Sequence, residues 1–85
     1  MNIDIDLFVD LNTEDDTGLP WTFLDEARDP RAIVAGRYVI VGAGDVAAVA
    51  QIVDVGGDGV VHVRPIPGPV SANAHLLSQQ GVAWG

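Results

Sequence analysis

Tyr38-Val39-Ile40-Val41-Gly42-Ala43-Gly44-Asp45-Val46-Ala47 continues through Ala48-Val49-Ala50-Gln51-Ile52-Val53-Asp54-Val55 to Gly56-Gly57-Asp58-Gly59-Val60-Val61-His62-Val63-Arg64, and this run admits two incompatible readings. In one, a strand enters a glycine loop that cradles phosphate, followed by a helix and a second strand. In the other, three antiparallel strands are joined by tight turns. The two differ only in whether residues 46–55 are helical.

The helical reading has specific content. A phosphate-binding turn needs glycines spaced so that the backbone can approach a pyrophosphate at a helix N-terminus. Gly42 and Gly44 occupy the first two such positions and Ala47 the third. Val46, Val49 and Val53 would share one side of the helix. The place of the ribose-reading residue falls on His62 or Arg64, not on an acid. In this run the chain resembles the opening βαβ unit of flavin and nicotinamide enzymes. That resemblance implies an NADP- or FAD-like ligand held by Gly42, Gly44 and Arg64. Against it, such a fold continues through further βαβ units, and only 21 residues follow Arg64.

The strand reading uses more of the sequence. As a strand, 46–55 puts Val46, Ala48, Ala50 and Ile52 on one face and Ala47, Val49, Gln51, Val53 and Val55 on the other. Both faces are mostly apolar, as in a strand buried between layers or bent around a barrel. Gly56-Gly57-Asp58-Gly59 is a hairpin signal, because these residues accept positive φ. Gly36 opens a strand at Arg37–Val41, and Gly42-Ala43-Gly44-Asp45 then reads as a turn. Pro65-Ile66-Pro67-Gly68-Pro69 ends the last strand, since proline cannot donate to a ladder. From Gly36 to Gly68 this pattern resembles SH3-like small barrels, including the KOW-type modules. The expected fold is therefore mainly β: a small SH3-like barrel or strongly bent antiparallel sheet with one short C-terminal helix.

The remainder of the chain fits one domain, with an acidic strand and loop region over 1–30, central strands over 31–70, and a short helix and tail over 71–85. Residues 3–9 alternate, with Ile3, Ile5, Leu7 and Val9 on one face against Asp4 and Asp6, and with Phe8 interrupting the polar side. Trp21-Thr22-Phe23-Leu24 has strand propensity, Asp25–Arg28 extends it or makes one helical turn, and Asp29-Pro30 is a turn signal. The helix is predicted over Ser71–Gln80, with Ser71 as its N-cap, Leu76 and Leu77 on its buried edge and Gly81 as its stop. Trp84 is expected to pack back from the tail.

Charge is distributed unevenly. The chain has no lysine and no cysteine, which removes disulfides and thiolate metal sites. Its formal charge is −8. Residues 1–30 carry nine acids against Arg28 alone, whereas residues 31–85 carry three acids and three arginines. Such a field repels phosphate backbones, so no direct nucleic-acid partner is expected, and it attracts basic partners or cations. No apolar run reaches the length of a membrane span and the start lacks the pattern of a secretory signal, so a soluble cytoplasmic protein without a membrane partner is expected.

The expected function follows: a non-catalytic binding or adaptor domain that takes a basic protein partner or a second copy of itself. Its expected contact residues are Trp21, a large aromatic after the Gly18-Leu19-Pro20 turn, with Asp10, Glu14, Asp15 and Asp16 of the acidic loop. The other large aromatics read as packing residues. No cofactor and no metal are expected. The loop from Asp10 alternates oxygen-bearing side chains as calcium loops do, but Asp15 and Trp21 stand where glycine and glutamate belong. His62 and His75 lack cysteine partners for a zinc site. Ser71 and Ser78 lie in no nucleophile elbow, and Asp25 and Glu26 would face opposite ways on a strand.

Overall fold

The computed structural model describes residues 5–12, 16–43 and 46–82, with side chains as far as residue 77. Five strands form one sheet: β1 (Leu7–Phe8), β2 (Trp21–Phe23), β3 (Tyr38–Ala43), β4 (Val46–Val55) and β5 (Val60–Pro65). A helix, α1 (Val70–Val82), follows, and two 3₁₀ turns, Leu24–Glu26 and Pro30–Ala32, stand between β2 and β3. The strand order is β1-β3-β4-β5-β2. Ala27 bridges Leu7, and the Arg28 N–H donates to the Asp6 carbonyl at 2.9 Å. The chain leaving β2 thus returns to β1, and the sheet becomes a nearly closed, mainly β barrel.

Residues 46–55 are strand, not helix, so the phosphate-loop arrangement does not form. Gly42 and Ala43 belong to β3 rather than to a turn. The register Ala43↔Val46 leaves Gly44 and Asp45 as the connection, and those two lie outside the described residues. Gly42 pairs with Ala47, and the β4 backbone lies close against it: a Cβ built on Gly42 would meet the Val46 carbonyl oxygen and come within 2.8 Å of Ala47 Cα. The second turn has the expected form. Gly56 N–H donates to Val60 O at 2.9 Å, and Asp58 Oδ1 accepts from Val60 N–H at 3.0 Å.

The sheet is not wholly antiparallel, because β1 runs parallel to β3, with Leu7 opposite Val41. Asp6 holds this edge. Its backbone N–H donates to Ile40 O, its Oδ2 accepts from Ile40 N–H at 3.0 Å, and its Oδ1 pairs with Arg28 Nη2 at 3.3 Å. Of the expected strand over 3–9, only Leu7–Phe8 is paired as strand, and residues 1–4 lie outside the described ones.

The core is aliphatic: Leu7, Val9, Ile33, Val39, Val41, Ala50, Ile52, Val61 and Val63, with Leu11, Leu24, Ala27 and Val55 packed around it. β4 departs from simple alternation. Ile52 pairs with Val63, but Asp54 pairs with His62 and Val55 with Val61, so Val53 is the extra residue of a β-bulge. The bulge exchanges the faces. Without it Asp54 would follow Ile52 into the core; with it Val55 turns inward and Asp54 outward. The expected grouping of Val55 with Val49 is corrected accordingly.

Val49 is fully buried yet stands outside the core cluster. It lies on the opposite face of β4, the strand against which α1 packs together with β3. The helix begins at Val70, one residue before the expected cap, so Ser71 is in the first turn. The Ala72 N–H donates to Pro69 O, and Asn73 Nδ2 donates to the Pro67 carbonyl at 3.0 Å, which ties the helix start to the proline turn. Gly81 does not stop the helix, which runs to Val82. Leu76 and Leu77 are half-buried. Trp84 lies outside the described residues.

Candidate interaction surface

With an aliphatic core, the aromatics among the described residues are displaced outward. Phe23 and Phe8 each keep 49% of their surface exposed, so neither is the packing residue that its size suggests. Trp21 and Phe23 lie two apart on β2 and share its outer face, while Thr22 between them stands opposite fully buried Val61. Their rings meet edge to face, with centroids 5.5 Å apart and planes at 89°. This is a favourable quadrupole arrangement.

The pairing across β2, β5 and β4 sets Trp21 opposite His62 and His62 opposite Asp54. Nδ1 of His62 lies 2.8 Å from Asp54 Oδ1, with the imidazole N–H donating and the carboxylate accepting. This bond depends on the Val53 bulge, which brings Asp54 to the outer face.

At the end of β2, a groove of about 390 Å³ is lined by Phe23, Leu24, Asp25, Pro30, Asp58 and Gly59. Three separate segments build it: the first 3₁₀ turn, the start of the second, and the β4–β5 turn. A bond of 2.7 Å from Leu24 N–H to Gly59 O locks two of them together. Asp29 caps the Pro30–Ala32 turn by accepting from Arg31 N–H at 3.1 Å and from Arg31 Nε at 3.2 Å. The Arg31 side chain, and then its backbone N–H, hold the Asp29 carboxyl below its ordinary value.

The expected contact residues are distributed over more than one place. Trp21 is half-buried on β2. Asp10 is exposed, accepts from Asn12 N–H at 2.9 Å, and lines a smaller groove of about 200 Å³ with Val9, Leu11, Ala43 and Val46 beside the β3–β4 hairpin. Asp16 is exposed, and Glu14 and Asp15 lie outside the described residues. The carboxylates that line the groove with Phe23 are instead Asp25 and Asp58. Phe23, expected to be a packing residue, belongs to this surface; the alternation of Trp21-Thr22-Phe23, which puts both rings on one face, was the signal that could have found it. The groove was not, because its walls are distant in sequence.

The nucleotide-site residues do not assemble. Gly42 is paired within the sheet, and Arg64 lies opposite Gln51, four positions along β4 from Gly42's partner Ala47, roughly 13 Å away at the usual rise per residue. Among the described residues, no three His, Asp or Glu side chains gather as a metal site, and no helix is long and apolar enough to cross a membrane. Comparison with protein families, with curated proteins and with solved structures finds no match to this chain.

Proposed function

We propose that this domain is a non-catalytic binding module, an SH3-like small barrel that takes a basic segment of a partner protein at the end bearing Trp21 and Phe23. The observation that carries this reading is Phe23: a large ring left half exposed, stacked edge-on against Trp21, at the mouth of a groove flanked by Asp25 and Asp58. Exposed aromatics beside fixed charges are the usual anchors of protein recognition. A net charge of −8 favours a basic partner over a phosphate-bearing one, and over a second copy with the same charge.

The test is titration of isotope-labelled protein with a basic, apolar-anchored peptide, followed by amide shifts. The expected result is a set of shifts centred on Phe23, Leu24, Asp25 and Gly59, with binding that weakens as salt is raised. Phe23→Ala should weaken binding about tenfold. Shifts spread evenly over all acidic residues, or none at millimolar peptide, would refute the reading.

A further inference from the structure

β2 has one paired edge and one open one. Against β5 its register sets Trp21 opposite His62, Thr22 opposite Val61 and Phe23 opposite Val60. The bonds at its two ends, Val63 N–H to Pro20 O at 3.1 Å and Leu24 N–H to Gly59 O at 2.7 Å, fix which residues bond inward. In an antiparallel pair these alternate, so Pro20, Thr22 and Leu24 direct their backbone groups at β5, and Trp21 and Phe23 direct theirs away from it. Beyond Phe23 the chain turns through Leu24–Glu26 and meets β1 only at Ala27, so β1 does not pair with β2. The N–H and C=O of Trp21 and Phe23 therefore stand along the seam of the barrel as an unpaired edge among the described residues.

Such an edge accepts an extended chain, and short length is one way in which proteins limit this. With three residues, β2 offers only the four backbone groups of Trp21 and Phe23. Further recognition must come from side chains, and the edge runs toward the apolar groove at Phe23, Leu24 and Pro30 with its carboxylates Asp25 and Asp58. Charge selects the occupant. A second copy would bring another −8 to the same edge, whereas a segment rich in arginine or lysine is complementary to it.

We infer that the partner of this domain is an extended basic segment that adds as a further strand to the open edge of β2, bonding to the backbone of Trp21 and Phe23 and seating one apolar side chain in the groove at Phe23 and Leu24. The inference rests on the binding reading above and names its mode and ligand class.

The probe is an acetylated, amidated heptapeptide that alternates arginine with valine or leucine, tested alone and with N-methyl groups on one or the other set of alternate residues. A strand pairs through every second residue, so one methylated set should lose binding about tenfold or more while the other keeps it. Amide exchange at Trp21 and Phe23 should slow in the complex. Phe23→Pro should bind about five- to tenfold more weakly than Phe23→Ala, since both lack the ring and only proline lacks the N–H. The Phe23 backbone, at φ −96° and ψ 149°, is extended and about 30° from the φ that proline fixes, an adjustment open to an edge residue whose N–H does not serve the β5 ladder. Binding that maps to the groove but is indifferent to the methylation pattern, with Phe23→Pro equal to Phe23→Ala, would overturn the strand mode and leave the binding reading intact. No binding of the unmethylated peptide at millimolar concentration would overturn both.

Discussion

Gly42→Ala tests whether the glycine run serves a sheet or a ligand. In the structure Gly42 is not beside a ligand loop; its hydrogens face the backbone of β4. An added Cβ meets the Val46 carbonyl oxygen and comes within 2.8 Å of Ala47 Cα and 2.9 Å of Val46 C, distances that require the two strands to move apart. The residue also sits at φ 153°, a conformation that side-chain-bearing residues rarely adopt. Overpacking of this kind costs about 1–3 kcal/mol and the backbone strain about 1–3 kcal/mol, so the substitution should cost about 2–6 kcal/mol. For a domain of this size each kcal/mol is worth about 4–8 °C, so Tm should fall by at least about 8 °C. Denaturant and thermal unfolding followed by circular dichroism measure both. Gly57→Ala is the control: it lies in the β4–β5 turn with open space around it, and should change stability by less than about 1 kcal/mol. If Gly42→Ala unfolds with the same midpoint as the parent protein, the close β3–β4 approach is wrong and the sheet reading of 38–55 fails with it.

Three further outcomes are expected. Deletion of Val53 removes the extra residue and lets Ile52, Asp54 and Val55 pair in unbroken alternation with Val63, His62 and Val61, so Asp54 stays outward and the loss should be less than about 2 kcal/mol, read by urea unfolding; a loss of about 3 kcal/mol or more, as expected if Asp54 were turned into the core, would contradict the register. Asp6→Ala leaves the Ile40 N–H without its carboxylate and removes the Arg28 pair, which should cost about 1–3 kcal/mol and speed amide exchange at Ile40, whereas unchanged exchange there would refute the stitch. The Asp29 carboxyl is held low by Arg31, so this pairing is present above the ordinary carboxylate range and is lost as pH falls through the lowered value; carbonyl-detected titration should find it low, and Arg31→Ala should move it upward.

Particular residues show where the sequence was informative. The glycine cluster at 56–59 marked its hairpin because positive φ is a local demand, met by Gly59 at φ 85°. The run of apolar residues on both faces of 46–55 marked a doubly covered strand, and the structure covers it with the core on one side and α1 on the other. The helix was legible in position but not at its ends: Ser71 has the chemistry of a cap, yet the proline turn and Asn73 already start the helix at Val70. Phe8 and Phe23 misled, since size alone does not say which apolar residues a small core has room for.

By itself the sequence determined that a mainly β fold of valine-rich strands and glycine turns would form from this lysine-free, acidic chain, because period, propensity and turn chemistry are written within a few residues of where they act. Only the tertiary structure decided that β1 runs parallel beside β3, that Val53 bulges and exchanges the faces of β4, and that Phe23, Asp25, Pro30 and Asp58 come together as one surface. These depend on which segments pair across tens of residues. That choice is made by burying Leu7, Ile52, Val55, Val61 and Val63 together, and no local pattern encodes it.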